Sequence, residues 1–520
     1  MRRPSLKPAL AFLAAALAAG AGAQAQGISA HDLAVVNRVT WGADDAAVRQ
    51  VQRMGLSAWL QQQLHPRPGD ALAPTVQAQI AALPISQESD AQLVAQDRAR
   101  RLALKDFADP DAKRQAAQAA NQAVNDLLSQ TSTRSLLRDL YSGNQLQEQM
   151  TWFWLNHFNV FRYKNNMGLY LPAYEETIRA HALGRFRDLL GATARSPAML
   201  RYLDNDQNAA GHVNENYARE IMELHTLGVG SGYSQADVQQ LARILTGVGV
   251  NLSGIPPKVK PALQAQYVRE GLFEFNPNRH DYGDKVLLGH KIQGAGLKEA
   301  DQALDLLARS PATARHISRE LAVYFVADDP PPALVDRMTA TFLHTNGDIS
   351  KVLETMFRSP EFTASLGRKF KDPMHYAVSA VRAAYGDRVI VNTQPLQGWL
   401  GRMGEPLYGH ETPDGYAMTR SAWSGPGALA VRFEIARQIG SGARGLYVPP
   451  AAPSPPGASP PATKVSAPAP PTQAPRADLA LYRSAAAPAL GAPTRQALGA
   501  AVSPQDWATL YLASPEFMYR

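Results

Sequence analysis

The stretch 146–161 most narrows what this chain can become, because Trp152, Phe153, Trp154, Leu155, Phe158 and Phe161 surround any helix built on it. A helix with apolar side chains on every side has no face to give to water, so it belongs at the centre of a large domain. The chain can supply that domain. Its 520 residues can bury a sizeable core, and a composition of 45% hydrophobic and 19% charged residues lies in the globular range.

The rest of the pattern is predominantly helical. Apolar residues at helical spacing predict two helices between Ile28 and Leu64, and exposed helices across 89–130, where Asp109-Pro110 reads as a cap followed by a first-turn proline. Further helices are predicted over 172–182, 185–194, 197–203, 214–227, 235–245, 297–308, 311–325, 332–345, 349–357 and 373–384. Several open with Ser-Pro, as at Ser196-Pro197, Ser310-Pro311 and Ser359-Pro360. Strand signals are few; 272–275 and 286–288, around Asn276-Pro277-Asn278, suggest one hairpin. The expected fold class is mostly α, a large multi-helix domain with at most a small β-hairpin.

Four segments are expected. Residues 1–25 read as a signal peptide: a basic start, an apolar run from Ala9 to Ala19, and a small-residue end at Ala23-Gln24-Ala25. Arg2-Arg3 also loosely resembles a twin-arginine leader, with the general secretory route as the simpler reading. The main helical domain is expected over 28–445, and a Pro/Ala-rich insertion over 446–478. Residues 479–520 form a last helical segment whose apolar face has to pack back on the main domain. Export to the periplasm or the extracellular space follows from the leader. Without cysteine the chain has no disulfide, no thiolate zinc site and no thiol nucleophile. The net charge of +7 falls to +4 when Arg2, Arg3 and Lys7 leave with the leader, and the remaining basic residues are scattered, so no nucleic-acid partner is expected. No later apolar run is long enough to span a bilayer.

Six motifs appear in order: WFWLNHF at 152–158, HALGRFRDLL at 181–190, NENYARE at 214–220, MELHTLG at 222–228, HDYGDKVLLG at 280–289, and SPEF at both 359–362 and 514–517. Together they resemble the bacterial family catalogued as domain of unknown function 1800, from about residue 30 to the C-terminus. The resemblance implies an exported, large, mostly helical protein and transfers no activity. The proline-rich insertion departs from the family pattern.

Candidate chemistry rests on a few polar residues. On the 214–227 helix, a step of 100° per residue places Asn216, Glu220 and Glu223 in one stripe beside Arg219. Two carboxylates three residues apart can chelate a divalent cation or share acid and base roles. Glu215, Arg219 and Glu223 also make the i, i+4, i+8 ladder of a solvated helix face. His225 falls on the opposite side and reads as a hydrogen-bonded core histidine. His157, with Asn156 and Asn159 at its edge, sits on the central helix, where a buried imidazole must find a partner. If both helices face one cleft, His157 serves as general base or ligand beside Glu220 and Glu223. His280 and Asp281, near Lys285, follow the expected hairpin turn and either complete that site or close a solvated turn. Asp204-Asn205-Asp206-Gln207-Asn208 resembles a calcium loop but lacks its glycine and its bidentate glutamate, and reads first as a turn and otherwise as an oxygen-rich cation or sugar site. Nucleophile-elbow, phosphate-loop, dinucleotide and His-Glu-x-x-His signatures are absent from the sequence.

Two functions follow from these residues. One is a hydrolase-like enzyme with His157, Glu220 and Glu223 as metal ligands, His280 or Asp281 completing the site, and a divalent metal as cofactor. The other is a non-catalytic scaffold that binds a partner protein or polymer.

Overall fold

The aromatic-wrapped stretch forms a helix over Gln145–His157 in a computed structural model that describes residues 28–66, 72–450, 476–485 and 490–520. The expected leader lies outside the described residues, as does most of the proline-rich insertion. The central helix is buried on all sides. Trp154 is 0% exposed, and its indole N–H donates to the Ala182 carbonyl at 2.9 Å, which satisfies the one polar atom of that side chain. The helix packs against those over Leu171–His181, Leu56–Leu64 and Pro110–Tyr141. It stops after His157 rather than running on to Phe161, because Phe158 turns out of helical conformation at φ −100° and ψ 52°. His157 therefore stands at a helix end, beside backbone that can be bonded from outside.

Most predicted helices are present within a residue or two, with Leu297–Ala308, Pro311–Phe325 and Ile349–Phe357 among them. Three places differ. The segment from Ile28 to Leu64, expected to hold two helices, forms three, Ala30–Val39, Asp45–Met54 and Leu56–Leu64, because Gly55 takes a φ of +81° that an L residue avoids, and so divides the second. The segment expected to hold exposed helices does hold Asp90–Ala103, but its second helix is far longer than expected, Pro110–Tyr141, capped by the Asp109 carboxylate on the Asp111 and Ala112 N–H groups. From Ala120 onward it sends side chains into the core.

The third difference concerns the strands. Phe273–Phe275 does not pair with the segment after the turn; it lies between Val248–Val250 and Val268–Glu270 in a three-stranded antiparallel sheet. Lys285–Leu287 instead forms its own hairpin with His290–Ile292. The intervening Leu288 and Gly289 both have positive φ, the backbone that a two-residue hairpin turn demands. The fold is mostly α with these two small sheets.

The C-terminal residues lie against the core. The Pro504–Leu512 helix packs on Pro426–Gly440 so closely that a Cβ on Gly440 would fall 2.2 Å from Thr509 Oγ1. Arg520 is buried; its guanidinium donates to Gln149 of the central helix (3.0 Å) and to the Tyr324 carbonyl (2.9 Å), while its own carbonyl accepts from Arg38 (2.5 Å). Among the described residues, no helix is long and apolar enough to cross a membrane.

Candidate functional site

The site grows from the end of the central helix. His157, with a side chain 3% exposed, turns Nδ1 to Glu320 Oε2 at 2.6 Å and Nε2 to the His225 carbonyl at 3.2 Å. Both ring nitrogens therefore face oxygen acceptors. Glu320 comes from the Pro311–Phe325 helix, which also supplies His316 one turn earlier, on the same face. His316 lies 3.7 Å from Glu320 Oε1, and its Nε2 meets the Leu224 carbonyl at 3.1 Å. His157, His316 and Glu320 each offer one ligand atom, and these atoms all lie within 4.8 Å of one another. Glu320 and His316 are each a quarter exposed, so the group is closed on the His157 side and open on the other.

Local backbone holds these imidazoles in place. The expected 214–227 helix is divided: Asn216–Glu220 is α-helical, and Ile221–Thr226 is a π-helix in which the Leu227 N–H reaches back five residues to the Met222 carbonyl. The Thr226 hydroxyl also bonds five residues back, to Ile221, at 2.6 Å. Such widened turns are frequent at functional positions. Here the turn presents the Leu224 and His225 carbonyls, at the negative end of the helix, to His316 and His157. Gly228, at φ +88°, then lets the backbone pass close to His316: a Cβ there would sit 3.1 Å from the imidazole Nδ1.

Electrostatics agree with an ionised carboxylate in this cluster. Burial pushes Glu320 up, but the adjoining His157, with its charge and hydrogen bond, and then His316 and Arg319 outweigh it, and Glu320 stays below the usual carboxylate range. His225 is 1% exposed, and burial, then His157 and His316, push it well below the ordinary histidine value. Its Nε2 has no hydrogen-bond partner. His225 is thus buried, as expected, but it is not the satisfied core histidine that the sequence suggested.

A loop closes over the end of the central helix. Asn156 exchanges two hydrogen bonds with the Tyr416 backbone (2.8 and 2.6 Å), and Asn159 donates to the His410 and Thr412 carbonyls (3.0 and 2.7 Å). Gly415, at φ +70°, is required there, since a Cβ would come 2.2 Å from the Asn156 carbonyl.

The other sequence candidates stand elsewhere. Glu220 and Glu223 are not in the three-residue ligand group. Glu220 is raised by burial and then by the Glu223 charge, against Arg219, with Asp414 adding to the rise. Glu223 accepts a hydrogen bond from Tyr233. The ladder exists in part, as an Arg219–Glu215 pair at 3.1 Å. His280 belongs to a fully buried knot: Nδ1 to the Thr246 carbonyl (2.8 Å), Nε2 to Glu299 (2.8 Å), and Lys285 Nζ on the same carboxylate (2.5 Å). Asp281 pairs with Arg243 at 2.8 Å, and that hydrogen bond holds it below the usual carboxylate range. Among the described residues, no hydrogen bond or ion pair joins this knot to His157. In the calcium-like stretch, Asn205 and Asn208 spend their amides on backbone carbonyls of Ala242, Leu245 and Val248, as a structural turn does.

His316 and Glu320 were missed by sequence reasoning, although a signal was present. HISRE at 316–320 puts two ligand types at i and i+4 on a helix whose bounds were predictable.

No curated protein and no solved structure matches the chain. A family model described as "Protein of unknown function (DUF1800)" matches residues 34–519, nearly the whole length. That span takes in the central helix, the widened turn and the His-Glu helix alike, and the chain belongs to the DUF1800 family.

Proposed function

We propose that the protein is an exported, hydrolase-like enzyme whose centre is a divalent metal ion held by His157, His316 and Glu320. The observation that carries this reading is the convergence, within 4.8 Å, of two imidazoles and one carboxylate from two helices far apart in sequence. Two histidines and one carboxylate leave coordination positions for water and substrate, as hydrolytic metal centres require. The side that carries His316 and Glu320 is the accessible one. His157 already has the support that metal-bound histidines need: with Nδ1 on the ion, its Nε2–H stays on the His225 carbonyl. Nδ1 and the Glu320 carboxylate, 2.6 Å apart, would each give the ion one atom, and because ligands bind a metal only when unprotonated, uptake is expected to strengthen as pH rises.

Elemental analysis of the purified full chain, compared with Glu320→Gln, tests the reading. One equivalent of metal in the wild type and a loss of roughly tenfold or more in affinity in the variant are expected. A wild-type protein that takes up no ion from zinc, manganese or magnesium solutions would overturn it and leave the alternative, a scaffold for a partner protein or polymer. Export is tested by N-terminal sequencing of the protein recovered from the periplasm or medium, where a start just after Ala25 is expected.

A further inference from the structure

Beside the three-residue group stands a fourth imidazole, that of His225. His225 is 1% exposed and its Nε2 has no partner, although buried polar atoms are almost always satisfied. Its ring centroid lies 5.9 Å from that of His157, which itself lies 6.2 Å from that of His316. The backbone of His225 is already part of the site, since its carbonyl accepts from His157 Nε2. The residue sits in the π-helical turn, an irregularity that departs from plain α-helical geometry, in which the sequence had turned His225 away from Glu223. Hence an unpartnered buried nitrogen, a widened helical turn and two neighbouring imidazoles all occur at one place.

From these observations we infer that His225, through Nε2, is the fourth protein ligand of the ion, so that the shell comprises three imidazoles and one carboxylate. The inference rests on the metal centre proposed above and deepens it by naming the class of ion. Calcium and magnesium prefer shells of oxygen and are disfavoured by three imidazoles; first-row transition ions accept them. Four protein ligands would saturate tetrahedral zinc. An ion of five or six coordinates that accepts imidazole, such as iron(II), keeps places for water and substrate and suits both the shell and the hydrolytic reading, with manganese(II) as its redox-stable probe.

The test uses the full-length protein loaded with manganese(II). X-ray absorption counts the imidazoles on the ion, and titration gives its affinity in wild type, His225→Ala and His225→Gln. Three imidazoles in the wild type, two in either variant, and an affinity lowered by roughly a hundredfold are expected. Two imidazoles in the wild type, or variants with unchanged count and affinity, overturn the fourth ligand while the His157, His316 and Glu320 centre stands. A wild type that binds none of the ions overturns the centre itself. Should His225→Ala fail to fold, His225→Gln, polar and of similar size, carries the same comparison.

Discussion

At the scale of single residues, the site depends on groups whose ordinary behaviour is altered by burial. Gly228 shows how little room there is: alanine there would need a positive φ and would press its Cβ on the His316 ring. Gly228→Ala is expected to cost about 1–2 kcal/mol in stability and to weaken metal uptake; urea unfolding and metal titration check the two effects separately. The histidines also set a pH dependence. His225 lies well below its ordinary value, and His375 is pushed down to about 4, by burial first and then by the Arg520 guanidinium, against the pull of Asp372. An unfolded chain takes up protons at both positions below about pH 6.5 while the folded one refuses them, so their contribution is full above about 6.5 and is lost as pH falls toward the folded values. Glu320, held low in the fold, adds a second loss that begins near its unfolded value of about 4.5. Buried carboxyls raised in the fold, such as Asp139 and Glu405, act with the opposite sign, so the contribution is read as the difference in unfolding midpoint between wild type and His375→Gln from pH 8 to pH 4; the wild type should lose ground against the variant below about pH 6.5, and a constant difference would contradict the assignment.

At the scale of elements, the decisive feature is the change from α to π geometry at Ile221. The five-residue hydrogen bond from the Thr226 hydroxyl to the Ile221 carbonyl holds the widened turn, and the buried hydroxyl has no need of water while that bond persists. Thr226→Val keeps the shape and removes the bond. A loss of about 1 kcal/mol is expected, with a change in the imidazole NMR resonances of His157 and His316; unchanged resonances would mean that the turn is held by its packing alone. The central helix shows the opposite kind of element. Its aromatic coat left a single solution, burial, and the structure has it. What the coat did not show was the end at His157, because Phe158, Val160 and Phe161 continue the apolar pattern while the backbone turns away. Periodicity reports which side chains avoid water; it reports poorly where a buried helix stops, since buried loops and buried helices are equally apolar.

At the scale of the whole molecule, distant parts of the chain meet around a buried set of charges. Arg520 ties the last residue to the central helix and to the Pro311–Phe325 helix, and Arg38 near the start bonds its carbonyl. Arg520→Ala is expected to cost about 2–4 kcal/mol, since two hydrogen bonds from a charged donor are lost and Gln149 is left short of a partner in the core; denaturant unfolding checks the value. The sequence alone determined the helical class, the family, the helix caps and the burial of the aromatic stretch, because each of these is written in spacing along a few neighbouring residues. It also pointed to His157. Only the tertiary structure decided what His157 meets. The stripe of Glu220 and Glu223 was legible, yet the carboxylate that arrives is Glu320, 163 residues away in the chain. Helix spacing places residues on a face, but which faces converge depends on how the helices cross, and that is settled by packing over the whole core.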